Sequence, residues 1–285
     1  MQVKERLQQT FLEVEEGMLA LISELGAPSK LREAVEYSLL SGGKRVRPLL
    51  VMLIGDALGK NYPVLSSALA VECFHSASLI ADDLPCMDNE TKRRGKPCLH
   101  HVYPESVAIL ASYTLISLGY EYVHKNGSQL PVSSSTQNTL SMKALQTVTK
   151  AAGIFGATGG QFFDLFPPDQ TVATLDAITE KKTVTLFNIA FVCGWLFGGG
   201  DPACLSEVEA LALHLGRAFQ LRDDLLDLEQ DTTNATESNL ASILGKKSAL
   251  QRLEHDLQAF RTLLKKLSID TKELCYMADA LSFPG

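Results

Sequence analysis

The sequence predicts an all-α fold, on three observations. Apolar residues recur at helical spacing along most of the chain, strand-type alternation is almost absent, and no linker rich in Pro, Gly or Ser divides the 285 residues. The reading is a single domain, residues 1–285, of about ten or more helices, in which facing helices build a central cavity. Apolar residues make up 46% of the chain, enough for a large core, and 21% charged residues exclude a disordered chain.

The first helix is expected over 3–25, where Leu7, Phe11, Val14, Met18, Leu21 and Ile22 form an apolar stripe among glutamates. Gly26, Pro28 and Ser29 end it, and Ser29 can cap a second helix over 30–40. Ser41-Gly42-Gly43 breaks that helix, and Pro48 suits the first turn of a third, 48–58. A fourth follows Pro63 over 64–81. Pro104 starts a fifth, 105–124, and 126–135 reads as a loop. Helix resumes over 136–155. The glycine-rich run 156–160 reads as a place where two helix backbones approach closely, rather than as a phosphate loop. A long apolar helix is expected over 175–197, after Pro167-Pro168. Residues 207–228, 246–267 and 272–281 complete the helices, with a polar loop over 231–238.

Two acidic stretches interrupt this apolar pattern. Asp82, Asp83 and Asp88 follow the fourth helix, with Arg93, Arg94 and Gly95 close behind. Asp223, Asp224 and Asp227 lie among Phe219, Leu221, Leu225 and Leu226, and Asp223 and Asp227 share a helix face. Carboxylates in apolar surroundings are costly unless compensated. Magnesium ions and a polyphosphate would compensate them, because Mg²⁺ takes oxygen ligands and a few carboxylates. Arginine forks bind phosphate in pairs of hydrogen bonds.

These stretches resemble the trans-isoprenyl diphosphate synthases, which include farnesyl and geranylgeranyl diphosphate synthases. Asp82-Asp83-Leu84-Pro85-Cys86-Met87-Asp88 is similar to the first aspartate-rich motif of that family, and Asp223-Asp224-Leu225-Leu226-Asp227 to the second. Gly42-Gly43-Lys44-Arg45-Val46-Arg47-Pro48 resembles its basic motif. The resemblance covers about 31–281. It implies an isoprenoid-synthase-type helical bundle and a prenyltransferase that joins an allylic diphosphate (dimethylallyl, geranyl or farnesyl) to isopentenyl diphosphate, head to tail. It implies a Mg²⁺ set of Asp82, Asp83, Asp88, Asp223, Asp224 and Asp227. Lys182, Thr183, Arg93, Gln220 and Gln161 would serve the allylic substrate, and Lys44, Arg47, His75 and Arg94 the isopentenyl diphosphate. A homodimer is implied as well.

The chain departs from the family pattern at three places. Ala81 stands where a histidine is usual, Tyr113 where an aspartate is usual, and Glu237, in Asn234–Glu237, where a lysine is usual; Lys246 or Lys247 could supply that charge. The alternative reading is therefore a non-catalytic or weakly active regulatory subunit of a heteromeric synthase. A terpene cyclase would not need the basic motif. Ala77 and Ser78, one turn before Asp82, are small, which favours a twenty-carbon product over a fifteen-carbon one, with Tyr113 and Tyr120 as candidates to close the tunnel.

The net charge of −7 argues against nucleic acid as a partner. Six cysteines without a C-x-x-C pair fit reduced thiols in a cytoplasmic protein. No stretch reads as a membrane span.

Overall fold

The computed structural model describes residues 3–230 and 239–283. The helices are α1 Val3–Ser23, α2 Lys30–Leu39, α3 Val46–Ala57, α4 Leu65–Asp82, α5 Leu99–Val102, α6 Glu105–Ser128, α7 Ser134–Ala152, α8 Ala157–Leu165, α9 Val172–Thr179, α10 Thr185–Phe197, α11 Leu205–Gln230, α12 Leu240–Leu244, α13 Lys246–Lys266 and α14 Lys272–Asp279. The cap foreseen from sequence is in place: Ser29 accepts from the Arg32 N–H.

Helix α10 is the centre of the bundle. Every residue from Ile189 to Phe197 is buried, and the helix packs on α3, α4, α7 and α11. A helix apolar all round has no solvent face and must lie inside. Phe187, Phe191 and Phe197 are among its fully buried side chains, each contributing about 1.5–3 kcal/mol on burial. Helix α4 lies against α6 along its length, and α11 against α13.

Four expectations need correction. The helix over 175–197 is not continuous: a π-turn, Glu180–Val184, joins α9 to α10. The glycine run opens α8, a helix not foreseen. Residues 126–128 extend α6 instead of forming loop, because the buried Asn126 is held there. Its Oδ1 accepts from the Ser67 N–H at 2.8 Å and its Nδ2 donates to the Pro63 carbonyl at 2.8 Å, which ties α6 to the start of α4. A two-stranded antiparallel hairpin, β1 Lys92–Arg93 and β2 Lys96–Pro97, stands where only loop was foreseen. Its turn residues Arg94 and Gly95 have φ of 54° and 77°, the left-handed pair of a tight hairpin turn. The loop over 231–238, with Glu237, lies outside the described residues.

The expected close approach at the glycines is present at Gly160. A Cβ there would stand 2.5 Å from the Lys182 backbone nitrogen. Only glycine lets α8 lie flat on the π-turn.

Candidate active site

Helix α4 has two working faces. Phe74, Ala77, Ser78 and Ala81 line a cavity of about 430 Å³, shared with Ile116, Phe162, Leu165, Phe166 and Leu186. Glu72, His75, Ser76 and Leu79 lie on the other side at i, i+3, i+4 and i+7. The apolar cavity and the basic cluster are therefore separated by one helix.

Asp82, Gln161 and Lys182 stand at the polar end of the cavity. Gln161 Nε2 donates to Asp88 Oδ1 at 2.8 Å. Lys182 Nζ donates to Asp164 at 2.5 Å and lies 3.7 Å from Asp88 Oδ2. The Asp88 N–H donates to the Asp82 carbonyl at 2.9 Å, which folds the acidic loop back on the end of α4. Burial pushes the Asp82 carboxyl up to about 7, Lys182 opposing and Asp88 and Asp83 adding to the rise. Burial alone would lower the Lys182 pKa; Asp164, then Asp82 and Asp88, outweigh it and leave it raised.

The π-turn places the pair Lys182 and Thr183 on different partners. Lys182 turns to the acids, while Thr183 Oγ1 donates to Gln220 Oε1 at 2.9 Å. Gln220 Nε2 in turn donates to Asp224 Oδ1 at 3.0 Å. Such one-turn widenings are frequent at functional sites.

The six aspartates do not all point one way. Asp83 is buried and accepts from Arg93 Nε and Nη2 at 2.9 and 2.5 Å, facing the basic side of α4. Burial and its bond to Asp83 push the Cys98 thiol up to about 12. Asp224 is also buried, and its Oδ2 accepts the Leu240 N–H at 3.0 Å, at the start of α12. The outward set is Asp82 and Asp88 on one side, Asp223 and Asp227 on the other. Burial raises the Asp223 pKa, and Lys44 is the strongest influence against that rise.

The basic cluster surrounds Glu72, which is 1% exposed. Arg45 donates to Glu72 at 2.6 Å, to Glu15 at 2.7 Å and to the Leu39 carbonyl at 2.6 Å. Arg45, from the basic motif, thus points inward, while Lys44 beside it is exposed. Arg94 Nη1 donates to the Gly42 carbonyl at 2.6 Å, and its Nη2 lies 3.5 Å from Glu72. The Arg47 guanidinium covers the Phe187 ring at 4.5 Å, with His75 Nε2 3.4 Å from Nη1. Burial pulls Arg47 down to about 10, with Glu72 opposing and Arg94 adding to the fall. Burial and Arg47 hold His75 well below its ordinary value, so the ring is neutral. Arg47 Nε and His75 Nδ1 are buried and lack a hydrogen-bond partner among the described residues. A phosphate oxygen is the kind of acceptor a guanidinium Nε–H would take.

Among the described residues, no three His, Cys, Asp or Glu side chains lie close enough to hold a metal ion by themselves. The donor chemistry nevertheless fits a hard cation shared with a phosphate: Asp82 is largely buried, and no hydrogen bond reaches its carboxylate among the described residues.

Residues 28–254 match the polyprenyl synthetase family. The chain belongs to that family. Farnesyl diphosphate synthase of Geobacillus stearothermophilus is 35% identical over 286 residues, covering 94% of this chain and 93% of that one. Geranylgeranyl pyrophosphate synthase 9, chloroplastic, of Arabidopsis thaliana is 36% identical over 252 residues, covering 86% and 68%. The crystal structure of a geranyltransferase from Legionella pneumophila superposes with a TM-score of 0.85 at 28% identity, covering 98% of this chain and 96% of that one.

In this polyprenyl synthetase two acidic residues escaped the sequence reading. Asp164 lies three residues after Gln161, on the same face of α8, and holds Lys182. Glu72 lies one turn before His75 in an otherwise apolar run, where a lone buried acid signals a buried partner. Of the two tyrosines expected to close the tunnel, Tyr113 is 62% exposed and does not line the cavity. Tyr120 packs edge-on against Phe74 at 5.1 Å, and Phe74 itself lines the cavity one turn below Ala77 and Ser78.

Proposed function

We propose that this chain, acting as one domain over residues 1–285, joins an allylic diphosphate to isopentenyl diphosphate, head to tail. The allylic C–O bond breaks and diphosphate leaves with the electron pair. The isopentenyl double bond attacks the allylic cation, a C–C bond forms, and a proton is lost. The observation that carries this reading is the polarity of one cavity: Asp82 and Lys182 at one end, an apolar lining down to Phe74 at the other. A diphosphate headgroup suits the first and a prenyl chain the second.

Magnesium would supply Lewis-acid stabilisation of the leaving diphosphate, with Asp82, Asp88, Asp223 and Asp227 as the residues to hold it. Lys182 presents a charge to the same headgroup, and Thr183 and Gln220 form a hydrogen-bonded pair beside it. The family resemblance gives Arg93 to the allylic headgroup, while Asp83 holds it on the basic side of α4, beside Arg94. Arg47, Arg94, Lys44 and the neutral His75 form the second, isopentenyl site across α4. Preorganised charges of this kind act on the transition state without reorganising. The open positions at Ala77 and Ser78 favour a twenty-carbon product, geranylgeranyl diphosphate.

A homodimer is part of the proposal. Leu110 and Tyr113, three apart on α6, are exposed, as is Met142 on α7, apolar side chains of the kind found where chains associate. The same side chains support the second reading, in which the chain binds and regulates another synthase subunit. A cytoplasmic setting belongs to the same proposal; among the described residues no helix is long and apolar enough to cross a membrane. The test is incubation of the pure protein with Mg²⁺, isopentenyl diphosphate and each allylic primer, with products sized by chromatography. No elongated product from any primer would favour the regulatory subunit.

A further inference from the structure

The ammonium of Lys182 stands among three carboxylates. It donates to Asp164 at 2.5 Å, lies 3.7 Å from Asp88, and is drawn by Asp82 as well. Gln161 Nε2 grips the other oxygen of Asp88 at 2.8 Å. Gln161 is 7% exposed, and its Oε1 is buried and accepts no hydrogen bond among the described residues. An ammonium carries three donors and no acceptor. Helix α8 thus carries, three residues apart on one face, the acceptor that already holds the ammonium, Asp164, and an unfilled one, Gln161 Oε1.

We propose that a divalent cation on the Asp82–Asp88 pair replaces the compensating charge of Lys182 there, while Asp164, which already holds the ammonium, and the unfilled Gln161 Oε1 keep it beside the site. The proposal rests on the metal-assisted reading above and adds how this chain manages its acids without metal. Carboxylates in a largely buried pocket need a counter-charge at all times. Lys182 supplies it in the ligand-free chain. When a doubly charged ion takes Asp82 and Asp88, the ammonium would be left uncompensated unless an acceptor held it close by. Asp164 is such an acceptor and already bears the shorter contact. Asp164 is thus a positioning residue that acts through Lys182.

The test is titration with Mn²⁺ followed by electron paramagnetic resonance, with no diphosphate present. Mn²⁺ shares the preference of Mg²⁺ for oxygen ligands in octahedral array. Lys182→Met should tighten Mn²⁺ binding by about tenfold, the scale of one charge-assisted contact removed from competition. Asp164→Asn should weaken it several-fold in the wild-type background and leave it unchanged in Lys182→Met. Should Lys182→Met not fold, Lys182→Gln is read in the same way. Unchanged or weaker Mn²⁺ binding in the lysine variant overturns this replacement of charge, as does an equal loss from Asp164→Asn in both backgrounds. Wild type titrated with Mn²⁺ and inorganic pyrophosphate separates the two levels. No metal uptake there overturns the metal-assisted reading itself, whereas uptake there with unaltered free-protein affinity in Lys182→Met overturns the replacement alone.

Discussion

The guanidinium of Arg94 fills the space that a Cβ on Gly43 would need: its Cζ lies 2.7 Å from that position. Gly43 has φ of 122°, and the carbonyl of Gly42 beside it accepts from Arg94 at 2.6 Å. Two motifs about fifty residues apart are thus one structure. Their glycines form the bed on which the arginine lies. Gly43→Ala should displace Arg94 and raise KM for isopentenyl diphosphate by about tenfold to a hundredfold, the worth of a charge-assisted hydrogen bond. Arg94→Ala should do the same, and the double variant should be no worse than either single one. Additive losses in initial-rate kinetics would show that the two act separately.

Asp82→Ala and Asp223→Ala should each lower turnover by about two to three orders of magnitude, the scale for removing one preorganised electrostatic group. Both proteins should keep their melting temperature or gain slightly, since each change removes a partly buried acid beside others of like charge. Near-normal turnover in both would remove the basis for a metal site at these positions.

Arg45 should matter for stability rather than for chemistry. Its side chain is fully buried, and so, to within 1%, is that of Glu72, its partner at 2.6 Å. Arg45→Met leaves Glu72 buried with only the longer contact to Arg94, and should cost about 3–5 kcal/mol. Urea unfolding at neutral pH measures this directly. A cost below about 1 kcal/mol, typical of an exposed pair, would mean that Glu72 is compensated by Arg94 and Arg47 alone.

The cavity floor should set product length. Ala77 lines the cavity, its carbonyl pinned by the Ser112 hydroxyl at 2.9 Å. Ala77→Phe should shift the product towards fifteen carbons with the first condensation largely intact. Phe74→Ala should shift it the other way, past twenty carbons, because Phe74 and the Tyr120 ring behind it close the apolar end. Chromatography of the products decides both. An unchanged distribution in the two variants would place the growing chain elsewhere.

Much of this protein was legible from residue order alone. The 3.6-residue period of the apolar positions announced an all-helical chain, because a helix face must be apolar to bury. The two aspartate motifs, the Gly42–Pro48 run, Lys182 and His75 carried the resemblance to the family, and the small residues at 77 and 78 do line the cavity. The split between Asp223 and Asp224 could also have been read, since neighbours on a helix diverge by about 100° and cannot both face one cavity. Other features needed the fold. The π-turn at Glu180–Val184 is one of them, with Gly160 of a different helix packed against its backbone. Asp164 and Lys182 meet only because α8 lies flat on that turn. Asp83 turns from the cavity to the other face of α4, where Arg93 of the hairpin holds it. Periodicity reports which face of each helix is apolar. Which carboxylate is held and which is left for a ligand depends on partners distant in sequence, and only packing brings those within a few ångströms.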